Sequence, residues 1–273
     1  MWSLSRLKLT RARKSTIQYM SDLHLERINY DLSTSPASSI LILAGDVGRF
    51  RDFEKYRDFI MKCCGMFEKV LLVGGNHEYY GTSHARGQEL IDEIANDPAT
   101  QGRVLFLNRT TYDVPNSNTT IVGCTLYSHI GPDRSRLTND FKRIEEWTID
   151  QHNAAHAADL EWLKGKVSSI GTERRIVIAT HYAPAFEKTC HPAHEGSTLN
   201  QCFASNAFDE VQRCPGAQNV THWIFGHTHW NARFRRGNTL LVSNQLCNDS
   251  DRLNWRQKAF RYRRFKMTAI IRV

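Results

Sequence analysis

Five short polar clusters interrupt this chain, and each comes directly after a short run rich in Val, Ile, Leu or aromatic residues. Such runs predict buried strands, and the segments between several of them have apolar side chains at helical spacing. In chains that alternate strands and helices, functional side chains lie at the carboxyl ends of the strands, so the clusters are expected to meet at one edge. The clusters are Asp22-Leu23-His24, Gly45-Asp46, Gly75-Asn76-His77-Glu78, Thr180-His181 and Gly226-His227-Thr228-His229.

No internal repeat and no convincing linker divides the predicted elements. We expect one domain over residues 1–273, with a basic arm at 1–15 and a basic segment at 247–273 that ends in a strand. Irregular stretches at 131–147, 183–200 and 247–260 are expected to shape a substrate cleft, since long loops in compact domains are often functional. The predicted strands are 16–20, 39–44, 69–73, 103–107, 119–126, 175–179, 222–225, 233–235, 240–243 and 266–272, and the predicted helices are 53–67, 82–95 and 152–167.

Positive charge is concentrated at the two ends of the chain. Thirteen of the 36 Lys and Arg residues lie in residues 1–20 and 252–273, which contain no Asp or Glu. Residues 21–251 therefore carry 23 basic against 28 acidic side chains, although the whole chain has a formal charge of +8. The ends either contact nucleic acid or another anionic surface, or they are a solvated arm and a solvated strand.

The seven cysteines include no CxxC pair, and the amino-terminal residues lack the apolar core of a secretory signal. This pattern predicts reduced thiols and a cytoplasmic protein. An Arg- and Ser-containing start without acids leaves a mitochondrial presequence as the alternative. No apolar run approaches the length of a membrane-spanning helix, so no membrane span is expected.

The residue types in the clusters are those that bind divalent metals. Asp22 and His24 are two residues apart at the end of a strand, so their side chains are expected to leave the same face and converge on one ion. His227 and His229 repeat this spacing, and each could reach one of two adjacent ions.

The remaining clusters supply further donors. Asp46 follows a glycine that permits a sharp turn, and its two carboxylate oxygens could bridge two metals. Asn76 offers a neutral carbonyl oxygen and His181 an imidazole. Two divalent ions with two carboxylates keep a net positive charge, which attracts a phosphate anion and lowers the pKa of bound water.

In this order the clusters resemble the calcineurin-like metallophosphoesterase family over about residues 17–244. Asp46-Val47-Gly48-Arg49 lacks the arginine pattern of the protein Ser/Thr phosphatases, so the resemblance points to the small phosphoesterase branch. It implies an α/β fold, a four-layer α/β/β/α sandwich of two mixed β-sheets flanked by helices. It also implies two metal sites bridged by Asp46: the first site is held by Asp22, His24 and His229, and the second by Asn76, His181 and His227.

The resemblance further implies which side chains act in catalysis. His77 would be the unliganded catalytic histidine, and Asp46 would act through both metals. Glu78 is expected to orient its neighbours, whereas His129, Tyr79 and Tyr182 are expected to support the site or contact substrate. The cofactors would be two divalent ions, manganese first, with iron, zinc, cobalt, nickel or magnesium as alternatives.

The function that follows is hydrolysis of a small phosphomonoester or phosphodiester by a metal-bridging hydroxide, with His77 assisting the leaving group. Two alternatives stay open. The first is a nuclease that acts on DNA or RNA through the basic termini, because phosphate contacts by Lys and Arg dominate nucleic-acid affinity. The second is a catalytically silent metal-binding module.

Overall fold

The computed structural model describes residues 15–247 and 263–273. Its strands are β1 (Thr16–Met20), β2 (Ile40–Ala44), β3 (Lys69–Val73), β4 (Val104–Phe106), β5 (Thr110–Asp113), β6 (Thr119–Cys124), β7 (Arg175–Thr180), β8 (Val220–Phe225), β9 (Arg233–Arg236), β10 (Thr239–Ser243) and β11 (Ile270–Arg272). Its α-helices are α1 (Phe53–Met66), α2 (His84–Asn96), α3 (Asp140–Arg143), α4 (Ile149–Ser169) and α5 (Ala207–Gln212). None of the helices in these ranges is long and apolar enough to cross a bilayer.

The strands form two mixed sheets. The first has the order β11-β1-β2-β3-β4, in which β1 to β4 are parallel and β11 is antiparallel to β1. The second has the order β5-β6-β7-β8-β10-β9, with four parallel strands between two antiparallel edge strands. Helices connect most of the parallel strands, as such connections require.

Strand β2 shows how three apolar layers hold these elements together. Ile40, Ile42 and Ala44 face the second sheet and pack in the layer between the sheets. Leu41 and Leu43 face the other way and pack against helices α1 and α2. A third layer lies between the second sheet and helices α4 and α5. The predicted four-layer arrangement of two mixed sheets flanked by helices is therefore confirmed.

The predicted elements differ from the structure mainly where side chains are polar. Strand β5 and helices α3 and α5 were not expected, and α3 lies inside a stretch predicted to be irregular. Only Ile270–Arg272 of the predicted strand 266–272 is extended. The basic arm, apart from residue 15, and all but Cys247 of the predicted loop 247–260 fall outside the described residues.

The two sheets meet where their parallel strands end. The Thr125 hydroxyl, just after β6, donates a 2.8 Å hydrogen bond to the Gly74 carbonyl, just after β3. The Gly226 amide donates to the His181 carbonyl at 2.8 Å, which joins the ends of β8 and β7. All five polar clusters follow β1, β2, β3, β7 or β8, so the fold carries them to this shared edge.

Candidate metal centre

The first group of donors comes from three separate clusters. Asp22, His24, Asp46 and His229 each present a donor atom, and these atoms lie within 4.8 Å of one another. The Nε2 atoms of His24 and His229 are 3.1 Å apart. His24 Nε2 is 3.7 Å from Asp46 Oδ2, and His229 Nε2 is 3.7 Å from Asp22 Oδ1.

The second group shares Asp46 with the first. His181 Nε2 lies 3.4 Å from Asp46 Oδ1, 3.1 Å from His227 Nδ1 and 3.2 Å from Asn76 Oδ1. Asp46 thus turns Oδ1 towards the second group and Oδ2 towards the first. The structure brings together all seven residues that the sequence predicted as ligands.

Hydrogen bonds on the far side of two imidazoles fix which ring nitrogen carries the proton. His181 Nδ1 donates to the Ala44 carbonyl at 3.0 Å, and His227 Nε2 donates to the Cys202 carbonyl at 3.4 Å. Since a carbonyl can only accept, the opposite nitrogen of each neutral ring presents a lone pair to the group. Burial lowers the pKa of His181 to about 4 and that of His229 to about 3, so both rings are neutral at pH 7.

The carboxylates of this centre require a positive partner that the described residues do not supply. Asp22 and Asp46 are buried, and in the described part of the chain their ion-pair partners are histidines only. The pKa of Asp22 is raised to about 7, chiefly by burial and also by the charge of Asp46, although His181 acts to lower it. Converging carboxylates, neutral imidazoles and an amide oxygen fit divalent transition metals.

The backbone at these positions differs from the extended form that the sequence suggested. Five of the seven residues have left-handed φ angles: 50° at Asp22, 45° at His24, 52° at Asp46, 68° at His227 and 50° at His229. The side chains therefore converge because the chain coils tightly beyond each strand, rather than because alternate residues share a strand face. Asp and His tolerate this region better than most residues, which suits the sequence to the geometry.

Two cluster glycines lie against the donor side chains. A Cβ on Gly75 would overlap Asp46 Oδ1 and lie 2.8 Å from His181 Nε2. A Cβ on Gly226 would lie 2.5 Å from Asp22 Oδ2. Both positions need glycine because any larger residue would displace a donor atom.

Glu78 holds two cluster loops together. It is fully buried, and its carboxylate accepts hydrogen bonds from the backbone amides of Asp46 (2.9 Å), Val47 (2.7 Å) and Gly75 (2.7 Å). Burial and the charge of Asp46 raise the pKa of Glu78 to about 8, while these amides lower it. Glu78 therefore connects the loop after β2 to the loop after β3, and its orienting role stays a prediction.

The three other supporting residues occupy different environments. Tyr182 stacks on His227 with a ring-centroid distance of 3.9 Å, so it braces that imidazole. Tyr79 packs against Phe50 in the core between the first sheet and its helices, which makes it a packing residue rather than a pocket residue. His129 is exposed, and its expected contact with substrate stays a prediction.

Asp140 is a supporting residue to which sequence reasoning gave no role. Its Oδ1 accepts hydrogen bonds from Asn76 Nδ2 at 2.8 Å and from the Tyr80 hydroxyl at 2.7 Å. Its Oδ2 accepts from the Tyr182 hydroxyl at 3.1 Å. Because the Nδ2 atom of Asn76 donates to Asp140 and to the Tyr80 hydroxyl, the Oδ1 atom of Asn76 faces the second group of donors. Asp140 begins α3 and its partner Asn76 lies 64 positions away, so no local sequence pattern indicates the pair.

Replacing Asp140 by Ala is expected to weaken metal binding about 10–100-fold, because the Asn76 amide loses the acceptor that orients it. Titration calorimetry with Mn²⁺ measures the change. Asp150→Ala, at an exposed position on α4, is the matched control and should bind metal like the unaltered protein. Equal affinities in the two variants would contradict the orienting role.

Glu26 is a second residue that the sequence did not single out. Its Oε1 lies 3.2 Å from His77 Nδ1 and 3.3 Å from His24 Nδ1, and Arg49 Nη2 is 3.6 Å away. Burial lowers the pKa of His77, but Asp46 and Glu26 outweigh it and the pKa is raised overall. Glu26 thus fixes the ring of His77, whose side chain is 16% exposed at the rim of the centre.

The chain is similar to known proteins in sequence and in fold. The sequence model of the family described as calcineurin-like phosphoesterase matches residues 16–231. An uncharacterised protein from Acanthamoeba polyphaga mimivirus is 24% identical over 276 residues, covering 89% of this chain and 95% of its own.

Two solved structures share the fold. Phosphopantetheinyl hydrolase (PptH) from Mycobacterium tuberculosis is similar with a TM-score of 0.66 and 16% identity over 96% of each chain. A candidate 5′-nucleotidase from Staphylococcus aureus in complex with alpha-ketoglutarate has a TM-score of 0.51 and 13% identity. That match covers 85% of this chain and about half, 49%, of the other.

Proposed function

This chain belongs to the calcineurin-like phosphoesterases, metal-dependent hydrolases of phosphoester bonds, and we propose that its own centre is binuclear and cleaves a phosphomonoester or phosphodiester. The observation that carries the proposal is the position of Asp46. Its two carboxylate oxygens face two separate donor groups, 3.4 Å from His181 Nε2 and 3.7 Å from His24 Nε2. A shared carboxylate of this kind is what a pair of adjacent ions requires.

Seven side chains would hold the two ions. A bound pair of divalent ions supplies an acidified water nucleophile and neutralises charge on the phosphoryl oxygens. The first ion would lie among Asp22, His24, His229 and Asp46, and the second among Asp46, Asn76, His181 and His227. We propose Mn²⁺ as the first candidate for both positions, since mixed nitrogen and oxygen donors accept it together with the other metals of that series.

His77 is the group best placed to assist the leaving oxygen. Its backbone amide donates to Asp46 Oδ1 at 2.9 Å, which fixes it beside the bridging carboxylate. Its ring lies between His24 and Tyr80, at centroid distances of 4.3 Å and 4.2 Å. Because Nδ1 donates to Glu26, the other ring nitrogen is left to give a proton to the departing alcohol.

A pocket beside His229 could accommodate the organic part of the substrate. This apolar pocket of about 310 Å³ is lined by Leu199, Phe203, Thr228 and His229 among others. Leu199 belongs to the stretch 183–200 that the sequence predicted to shape the cleft. A phosphoryl group at the metals would place its ester substituent within reach of this pocket, which supports an organic phosphoester as substrate.

A cytoplasmic location is part of the proposal. All seven cysteines are free, and five of them are buried. Thiols that stay reduced are the usual state in a reducing compartment.

Removal and return of metal tests the proposed activity. Protein stripped with a chelator should lose turnover of p-nitrophenyl phosphate and its bis ester, and about two equivalents of Mn²⁺ should restore it. Metal content is measured by mass spectrometry alongside the rate. Protein that binds two ions and hydrolyses neither ester would instead support the silent metal-binding module, and turnover unaffected by the chelator would contradict the binuclear mechanism.

A further inference from the structure

A basic groove lies next to the apolar pocket. We use this name for two adjoining cavities of about 250 and about 360 Å³ that share Asn231, Ala232, Arg233 and Arg263 in their walls. Neither cavity includes a residue of the metal centre. The groove is therefore a surface feature distinct from the metal centre, and the metal centre does not account for its charge.

Cations line the groove almost without acids. The acidic residue in its walls is Glu195, which already accepts a hydrogen bond from the Lys188 backbone amide at 2.8 Å. Within residues 15–247 and 263–273, none of the cations forms an ion pair. Like charges in a concave wall raise the local positive potential and attract anions. The five cations are Lys188, Arg233, Arg263, Arg264 and Lys266.

These cations come from three separate segments. Lys188 follows β7, Arg233 begins the edge strand β9, and the others precede β11. Charged residues on an edge strand guard against aggregation, which would account for Arg233 alone. Protection against aggregation would not account for the cations that the other two segments bring to the same wall. In that wall Arg233 also interacts with the phenol oxygen of Tyr19.

The groove continues the path that leaves the metal centre. Cys190 lines both the apolar pocket and the groove. Thr228 and His229 line the pocket, and the next two residues, Trp230 and Asn231, line the groove. A chain molecule at the metals could therefore run through the pocket and along the groove.

We propose that the basic groove binds the phosphate backbone of a single-stranded nucleic acid whose scissile phosphate lies at the metal centre. The assignment of this strand as the substrate rests on the proposed phosphoesterase activity, whereas its binding to the groove does not. Hydrolysis would add one water across a P–O bond and leave one strand end as a phosphate and the other as a hydroxyl. The pocket supplies Phe203, on which an unstacked base can lie, and an intact duplex offers no such base.

Fluorescence anisotropy tests the binding with labelled oligo(dT) and oligo(U) strands of about 12 nucleotides, a length within the range of single-strand sites. Metal-loaded full-length protein is used, with phosphorothioate linkages that resist hydrolysis. Affinity should fall steeply between about 50 mM and about 200 mM salt. Binding that is absent at low salt, or equally tight to a duplex, would overturn the proposal.

Charge reversal locates the binding surface. Arg233→Glu with Arg263→Glu should weaken binding at least about tenfold and make the salt dependence shallower by about 1 to 2 in slope, since roughly two phosphate contacts are lost. Lys62→Glu with Arg86→Glu makes the same charge change on exposed faces of α1 and α2 and should bind like the unaltered protein. Equal losses in the two variants would overturn the assignment to the groove.

Two further results separate this inference from the proposed function. Arg264→Glu with Lys266→Glu leaves β9 untouched, so it repeats the test if the first variant fails to fold. Unaltered protein that binds the strand but hydrolyses no phosphoester would support the groove and refute the function. Unaltered protein that cleaves the bis ester but shows no salt-dependent strand binding would refute the groove alone.

Discussion

Asp46→Asn should remove metal and activity together. Asparagine has one side-chain oxygen, so the residue can no longer offer an oxygen to each of the two proposed ions at once. Water acidified at a metal has a pKa of about 7 against about 15.7 in bulk, so we expect a loss in kcat/KM of at least about 10³-fold. The measurements are metal content by mass spectrometry and turnover of the bis ester.

The substitution tests the carboxylate rather than the fold. Asparagine accepts the left-handed backbone at this position, and the backbone amide still donates to Glu78. The far-ultraviolet circular dichroism spectrum should therefore be unchanged. Asp58→Asn, on the exposed side of α1, is the matched control and should keep both ions. An Asp46→Asn protein that retains two ions and full activity would refute the bridging role.

His77→Ala should keep both ions and lose about 10²–10⁴-fold in kcat, the usual contribution of proton transfer. The residue contributes no atom to the seven converging donors, so metal content should match that of the unaltered protein. Its contacts with His24 and Tyr80 are ring contacts at the rim, and their loss leaves the donor atoms in place.

The leaving group distinguishes proton transfer from a purely structural effect. A p-nitrophenolate departs without protonation more readily than an alkoxide does, so the loss should be larger for alkyl esters than for p-nitrophenyl esters. Rates for a series of esters with rising alcohol pKa measure this trend. An equal loss across the series, or loss of metal, would contradict the acid role of His77.

Much of the fold followed from local sequence patterns because its central strands are buried and apolar. Strands β1 and β3 begin and end at the predicted residues, and β2 is one residue shorter. Strand β5 was missed because Thr110–Asp113 is polar and only half-buried. Helix α4 begins three residues before the prediction because Thr148 and Gln151 form a capping box, a signal that apolar spacing does not contain.

The sequence indicated which residues lie at the site more fully than it indicated how those residues are arranged. The seven residues could be grouped in advance because their side chains are of metal-binding types and because each residue follows a predicted strand. The left-handed turns depend on how each loop packs, for example on the contact of Glu78 with Val47. Glu26 and Asp140 act through contacts with residues 51 and 64 positions away, and a single sequence does not reveal such pairs.

The centre draws its donors from both sheets, and this has a consequence for biosynthesis. Asp22, Asp46 and Asn76 follow strands of the first sheet, whereas His181 and the two later imidazoles follow strands of the second. A nascent chain that has emerged only as far as β4 contains both carboxylates but lacks three of the four proposed histidine ligands. We infer that neither ion can be bound tightly until the strands that precede His181, His227 and His229 have been synthesised.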